Sequence, residues 1–110
     1  MRGFNGQMGQ MGQMMKQAQM LQNNIQRVQA ELNNVEVIGE AGSGSVKITM
    51  TCKNVCKKVD ISEAVFTGEA DDKEMLEDLI FAALNDAQKK IEAEVEARMK
   101  VATGGMKLPF

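Results

Sequence analysis

From Met14 onward the apolar residues fall in steps of four and three: Met14, Ala18, Leu21, Ile25, Val28, Leu32 and Val35, separated by Gln, Asn and a few charges. That spacing predicts one long helix, and so narrow a stripe suits packing against another helix better than covering a broad sheet. The opposite face carries Gln and Asn rather than Lys and Arg, which argues against a membrane surface. Ahead of the seam, residues 6–14 read Gly-Gln-Met three times. Each glycine costs a helix about 1 kcal/mol relative to alanine, so residues 1–13 are expected to form a flexible lead-in. Phe4, Met8, Met11 and Met15 nevertheless keep helical spacing, and thioether chains adapt to irregular surfaces.

After Asn33-Asn34 the period becomes two. Val35, Val37, Gly39 and Ala41 alternate with Glu36 and Glu40, and Gly42-Ser43-Gly44 makes a turn. Val46, Ile48, Met50 and Cys52 then point one way while Lys47, Thr49 and Thr51 point the other, the pattern of a half-buried strand. Lys53-Asn54 reads as a two-residue hairpin loop, because Asn tolerates positive φ, and Val55 to Ile61 returns as a third strand. This loop sets Val55 opposite Cys52, Val59 opposite Ile48 and Ile61 opposite Val46, so the apolar sets share a face. Cys52 and Cys56 then lie on opposite faces, which disfavours a disulfide.

Ser62 to Phe66 predicts a capped helical turn, broken by Thr67-Gly68. Asp71, three residues before Glu74 and ahead of an apolar run, predicts an Asp-type capping box. The helix it opens carries a wide stripe of Met75, Leu76, Leu79, Ile80, Ala83, Leu84 and Ala87, fit to lie on a sheet, and narrows to Ile91, Val95 and Met99. Arg98 and Lys100 fall in its last turn, and Gly104-Gly105 supplies the stop. From Asp72 to about Val101 this helix measures about 45 Å, whereas strands of seven or eight residues reach about 25 Å. The overhanging stripe and the edges of a three-stranded sheet call for cover, so a twofold homodimer is expected.

The 110 residues make one domain with a modest core. It is expected over 14–103, followed by a tail, 104–110. No apolar run approaches the about 20 residues of a membrane span, and the polar, glycine-rich start offers no secretion signal, so a cytoplasmic location is expected. Histidine is absent, and two cysteines lack the number and spacing of a zinc module, so no metal, cofactor or small-molecule substrate is expected. Asp71, Asp72 and Glu74 are explained by capping and solubility, and the chain is read as a binding protein rather than an enzyme. The net charge of −2 means that any nucleic-acid binding must use a local basic surface.

Four stretches resemble the YbaB/EbfC family of bacterial nucleoid-associated proteins. They are Met14-Met15-Lys16-Gln17-Ala18-Gln19-Met20; Gly39 to Gly44 with Val46-Lys47-Ile48-Thr49-Met50; Asp71 to Ile80 with Asn85-Asp86-Ala87; and Thr103-Gly104-Gly105-Met106 with Leu108-Pro109. Each is weak alone, but four in order, from Met14 to Pro109, are specific. The chain departs from the family pattern in its Gly-Gln-Met repeat, its Lys53-Asn54 hairpin and its two cysteines. The resemblance implies an α+β fold of one helix, three antiparallel strands and a long C-terminal helix, joined as a tweezer-like homodimer that binds DNA in the nucleoid.

No compact DNA-contact signature comes with that resemblance, so charge and geometry select the residues. The hairpin offers Lys47, Lys53, Lys57 and Lys58 with only Asp60 to offset them, and the helix ends offer Lys16, Arg27, Arg98, Lys100 and Lys107. Lysines among Thr, Gln and Asn contact phosphate and sugar without reading bases. With four Phe and no Trp or Tyr there is little to stack unpaired bases on, so double-stranded DNA is the expected ligand. The acidic Glu69–Asp78 block should face away from it. The alternative is a protein-interaction module that grips a helix with the heptad seam and the methionines.

Overall fold

A computed structural model describes the backbone of residues 2–104 and the side chains of residues 11–104. Helix α1 (Arg2–Leu32) leads to strands β1 (Glu36–Ala41), β2 (Val46–Thr51) and β3 (Cys56–Ile61), a 3-10 turn (Glu63–Val65) and helix α2 (Asp72–Ala102). This is the α+β order that the periodicities predict. The backbone of α1 is helical through the Gly-Gln-Met repeat. The side chains of Phe4 and Met8, and the tail from Gly105 with Lys107, lie outside the described residues.

The sheet is antiparallel throughout, in the order β1-β2-β3. Gly42, Ser43 and Gly44 all take positive φ, which is why glycine flanks the serine there. Ser45 closes the turn by donating from its backbone N–H (3.1 Å) and its hydroxyl (2.7 Å) to the Gly42 carbonyl.

The second hairpin differs from expectation at its tip. Thr51 N–H donates to the Val55 carbonyl (2.8 Å), which closes a three-residue loop, Cys52–Asn54, with Asn54 at φ 66°. The expected facing of Val55 and Cys52 is therefore not formed. An irregularity restores the register: Cys56 faces Met50 and Lys58 faces Thr49, leaving Lys57 as the extra residue of a bulge. Beyond it Val59 faces Ile48 and Ile61 faces Val46, as the apolar pattern requires. A left-handed Asn after two turn residues, with a compensating bulge, reconciles loop geometry with the apolar register.

Helix α2 lies across β1 and β2, and β3 is exposed along its length except at Ile61, which packs against the core. Val46, Ile48, Met50 and Cys52 are buried against Ala83, Ala87 and Ile91, and Val28 and Leu32 of α1 complete the core. Val59, although on the same face of the sheet as Ile48, is 50% exposed. The acidic start of α2 also departs from the expected capping box. Asp71 makes no side-chain cap, and it is Asp72 that accepts from Thr67 N–H (2.7 Å), the Thr67 hydroxyl (2.7 Å) and Gly68 N–H (2.9 Å). Those bonds, led by the one from the Thr67 hydroxyl, hold the Asp72 carboxyl below the ordinary range of Asp.

Candidate nucleic-acid interface

The hairpin lysines reach solvent by three routes. Lys53 sits in the loop, Lys57 occupies the bulge, and Lys47 and Lys58 project from the sheet face opposite α2. All four are exposed, and none forms an ion pair among the described residues. Lys58 stands opposite Thr49, whereas Lys47 is flanked by Glu40 on β1 and Asp60 on β3. Thr51, expected beside these lysines, is buried instead. Its hydroxyl accepts from Lys53 N–H (3.2 Å) and Val55 N–H (3.3 Å), so it shapes the loop that carries Lys53.

The helix-end cluster divides. Arg98 Nε donates to Glu94 Oε1 at 2.7 Å, and its Nη1 lies 3.6 Å from Glu31 Oε2 across the α1–α2 contact. Arg27 in turn lies 3.8 Å from Glu31 Oε1. Glu94 holds Arg98 even more firmly protonated than usual. Two cations among two carboxylates tie the helices together and leave little net positive charge for phosphates. Lys16 and Lys100 are exposed and form no ion pair among the described residues. Lys89 is a further such cation, outside the expected set, which attention to helix ends passes over. Glu94–Arg98 and Arg27–Glu31 were readable as i,i+4 pairs, but nothing in the sequence links Glu31 to Arg98.

Cys52 and Asn54 at the hairpin tip share a shallow depression with Ile91, Val95 and Met99, rimmed by Glu92 and Glu96. Asp71, Glu74 and Asp78 line a separate depression near the helix start, about 25 Å back along α2 from Ile91 at 1.5 Å per residue. The acidic opening is thus remote from the basic hairpin tip. Both cysteines are free thiols, Cys52 buried and Cys56 exposed. Among the described residues, no group of three or more His, Cys, Asp or Glu is placed to hold a metal ion, and no helix is long and apolar enough to cross a membrane.

Comparison with known proteins gives the family and the fold. The model of the YbaB/EbfC DNA-binding family matches residues 8–106, nearly the whole chain. Among solved structures, the chain resembles the uncharacterized protein HP0035 from Helicobacter pylori with a TM-score of 0.60. The two share 19% sequence identity, and the match covers 87% of this chain and 92% of that one, a likeness of fold.

Proposed function

This chain belongs to the YbaB/EbfC DNA-binding family, and from that premise we propose that it is a non-catalytic nucleoid protein that binds duplex DNA as a homodimer with low sequence specificity. The family is one of nucleoid-associated DNA-binding proteins, and that membership carries the reading. Its cytoplasmic, nucleoid location belongs to the same proposal, as do effects on nucleoid organisation or gene expression.

The contact surface is assigned to Lys47, Lys53, Lys57 and Lys58, with Lys16, Lys100 and Lys107 as outlying contacts. Exposed hairpin lysines without ion pairs among the described residues offer movable point charges to phosphates, which supports binding through the backbone rather than the bases. Arg27 and Arg98, committed to Glu31 and Glu94, take a supporting role. The test is fluorescence anisotropy of a labelled mixed-sequence duplex at several salt concentrations, with the four hairpin lysines changed to Gln in parallel. Micromolar binding that falls with salt and weakens in the variant is the expected result. Salt-dependent binding that ignores the substitutions would move the site to the helix ends.

One observation favours a second reading. Met11, Met14, Met15 and Met20 of α1 are all more than 60% exposed, an adaptable surface of the kind used to hold a partner helix. No duplex binding even at low salt would make that reading the one to pursue.

A further inference from the structure

Methionine is among the residues most often fully buried in folded proteins, yet Met11, Met14 and Met15 are 62%, 69% and 66% exposed on α1. Core packing does not account for them, because α1 enters the core at Val28 and Leu32, about four turns further on. Met14 also borders a shallow depression at the end of α2, with its side chain still largely in solvent.

Their spacing brings the sulfurs together. Met11 precedes Met14 by three residues and Met15 by four, so on the helix its Cβ lies about 5–6 Å from each of theirs. Helical side chains lean toward the N-terminus. Met14 and Met15 therefore reach back over the turn that carries Met11, and the rotatable bonds of each methionine let the three sulfurs converge on one point. Met8 repeats the three-residue spacing upstream, its side chain lying outside the described residues. Residues 1–30 contain no Asp, Glu, His or Cys, and Lys16 is the single charge between Arg2 and Arg27. At about 100° per residue, Lys16 stands about 140° round the helix from Met11, away from the sulfurs.

We propose that Met11, Met14 and Met15 form a three-thioether site for a soft monovalent metal ion, copper(I). The carboxylates that hold magnesium and calcium are missing from this stretch, as are the thiolates and imidazoles that hold zinc. Soft thioethers select copper(I) instead. The lack of histidine and of a zinc spacing bears on harder metals and leaves this site open. None of the lysines assigned to DNA takes part, so the site stands or falls apart from the DNA surface.

The test is a silver(I) titration, as the air-stable counterpart of copper(I), followed by NMR of methionine methyl groups labelled with carbon-13. It is done on the Cys56→Ser chain, because the exposed Cys56 thiol is itself a soft ligand. The methyls of Met11, Met14 and Met15 should shift together and saturate. Met20 and Met75, also exposed, have no methionine three or four residues away and should stay unmoved. Loss of a second-shell partner alone costs about 10–100-fold in metal affinity, so Met11→Leu, which removes the shared neighbour, should weaken binding by about tenfold or more. Leucine keeps helix propensity and apolar volume, so a surface that only gripped a partner helix would survive the change. Copper(I) with ascorbate, in the absence of oxygen, should reproduce the shifts. Equal shifts at Met20 and Met75, no shift at the three methionines, or undiminished binding in Met11→Leu would overturn the site. Silver(I) binding that copper(I) does not reproduce would overturn the copper assignment.

Discussion

Gly39 of β1 lies directly beneath Ala87 of α2: a Cβ built on Gly39 would come 2.6 Å from both the Ala87 Cβ and the Ala87 N, and would run into the Ala83 carbonyl. Three small residues let the helix backbone approach the strand closely enough for Asp86 and Lys90 to reach the edge of β1. Gly39→Ala asks rigid backbone to move, and overpacking of this kind costs about 1–3 kcal/mol or more. The variant should unfold at a clearly lower urea concentration than wild type, with α2 the element disturbed. An unchanged midpoint would mean that α2 does not sit on Gly39.

Asp86 predicts how stability responds to acid. The Glu40 N–H, with the Lys90 ammonium second, holds its carboxyl below the ordinary Asp value. A group with a depressed folded pKa contributes stability that is complete above the unfolded value, about 3.9, and is lost as pH falls through the folded value. Asp72, also depressed, acts in the same direction. Wild type should therefore lose urea resistance as pH drops below about 4. Asp86→Asn, which keeps an acceptor for Glu40 N–H but not the charge, should be less stable at neutral pH and show a shallower acid slope. An unaltered slope would remove Asp86 from the account.

Much of this architecture was legible because a buried face imposes a period. The pattern Val46, Ile48, Met50 and Cys52 placed β2 in the core, and Val59 and Ile61 fixed the far register of the hairpin. The tip was less legible, because a two-residue loop and a three-residue loop with a bulge satisfy the same pattern beyond Lys57. Alternation predicted that Thr51 would face outward, but its hydroxyl bonds inside the loop instead. At the start of α2, adjacent aspartates made the choice of acceptor depend on the path of Thr67-Gly68, which no local motif specifies. The candidate site divides similarly: hairpin lysines follow from register, whereas the commitment of Arg98 to Glu31 depends on how α1 and α2 come together.

The thiols should differ in reactivity. Burial is the first cause that pushes the Cys52 thiol up, with Glu94 adding to it and Arg98 opposing, while Cys56 is exposed. Because the thiolate is the attacking form, a limiting alkylating agent at pH 8 should modify Cys56 faster by about tenfold or more. Peptide mass spectrometry over time reads this directly. Equal rates would show that the turn holding Cys52 opens as readily as an exposed strand.

Arg98 and the hairpin lysines should separate when salt is varied. Each phosphate that a protein neutralises on duplex DNA steepens the fall of log affinity with log salt by about 0.9. Lys47→Gln, Lys53→Gln and Lys57→Gln together should flatten that slope by about 2–3 while leaving urea stability nearly unchanged, since these side chains form no ion pair among the described residues. Arg98→Gln should do the reverse. It breaks the bridge from Glu94 to Glu31, lowering the urea midpoint and loosening α1 from α2, yet it should change the salt slope little. A marked flattening in Arg98→Gln would mean that the arginine leaves its carboxylates for a phosphate when DNA binds, and the DNA surface would then extend to the junction of the two helices.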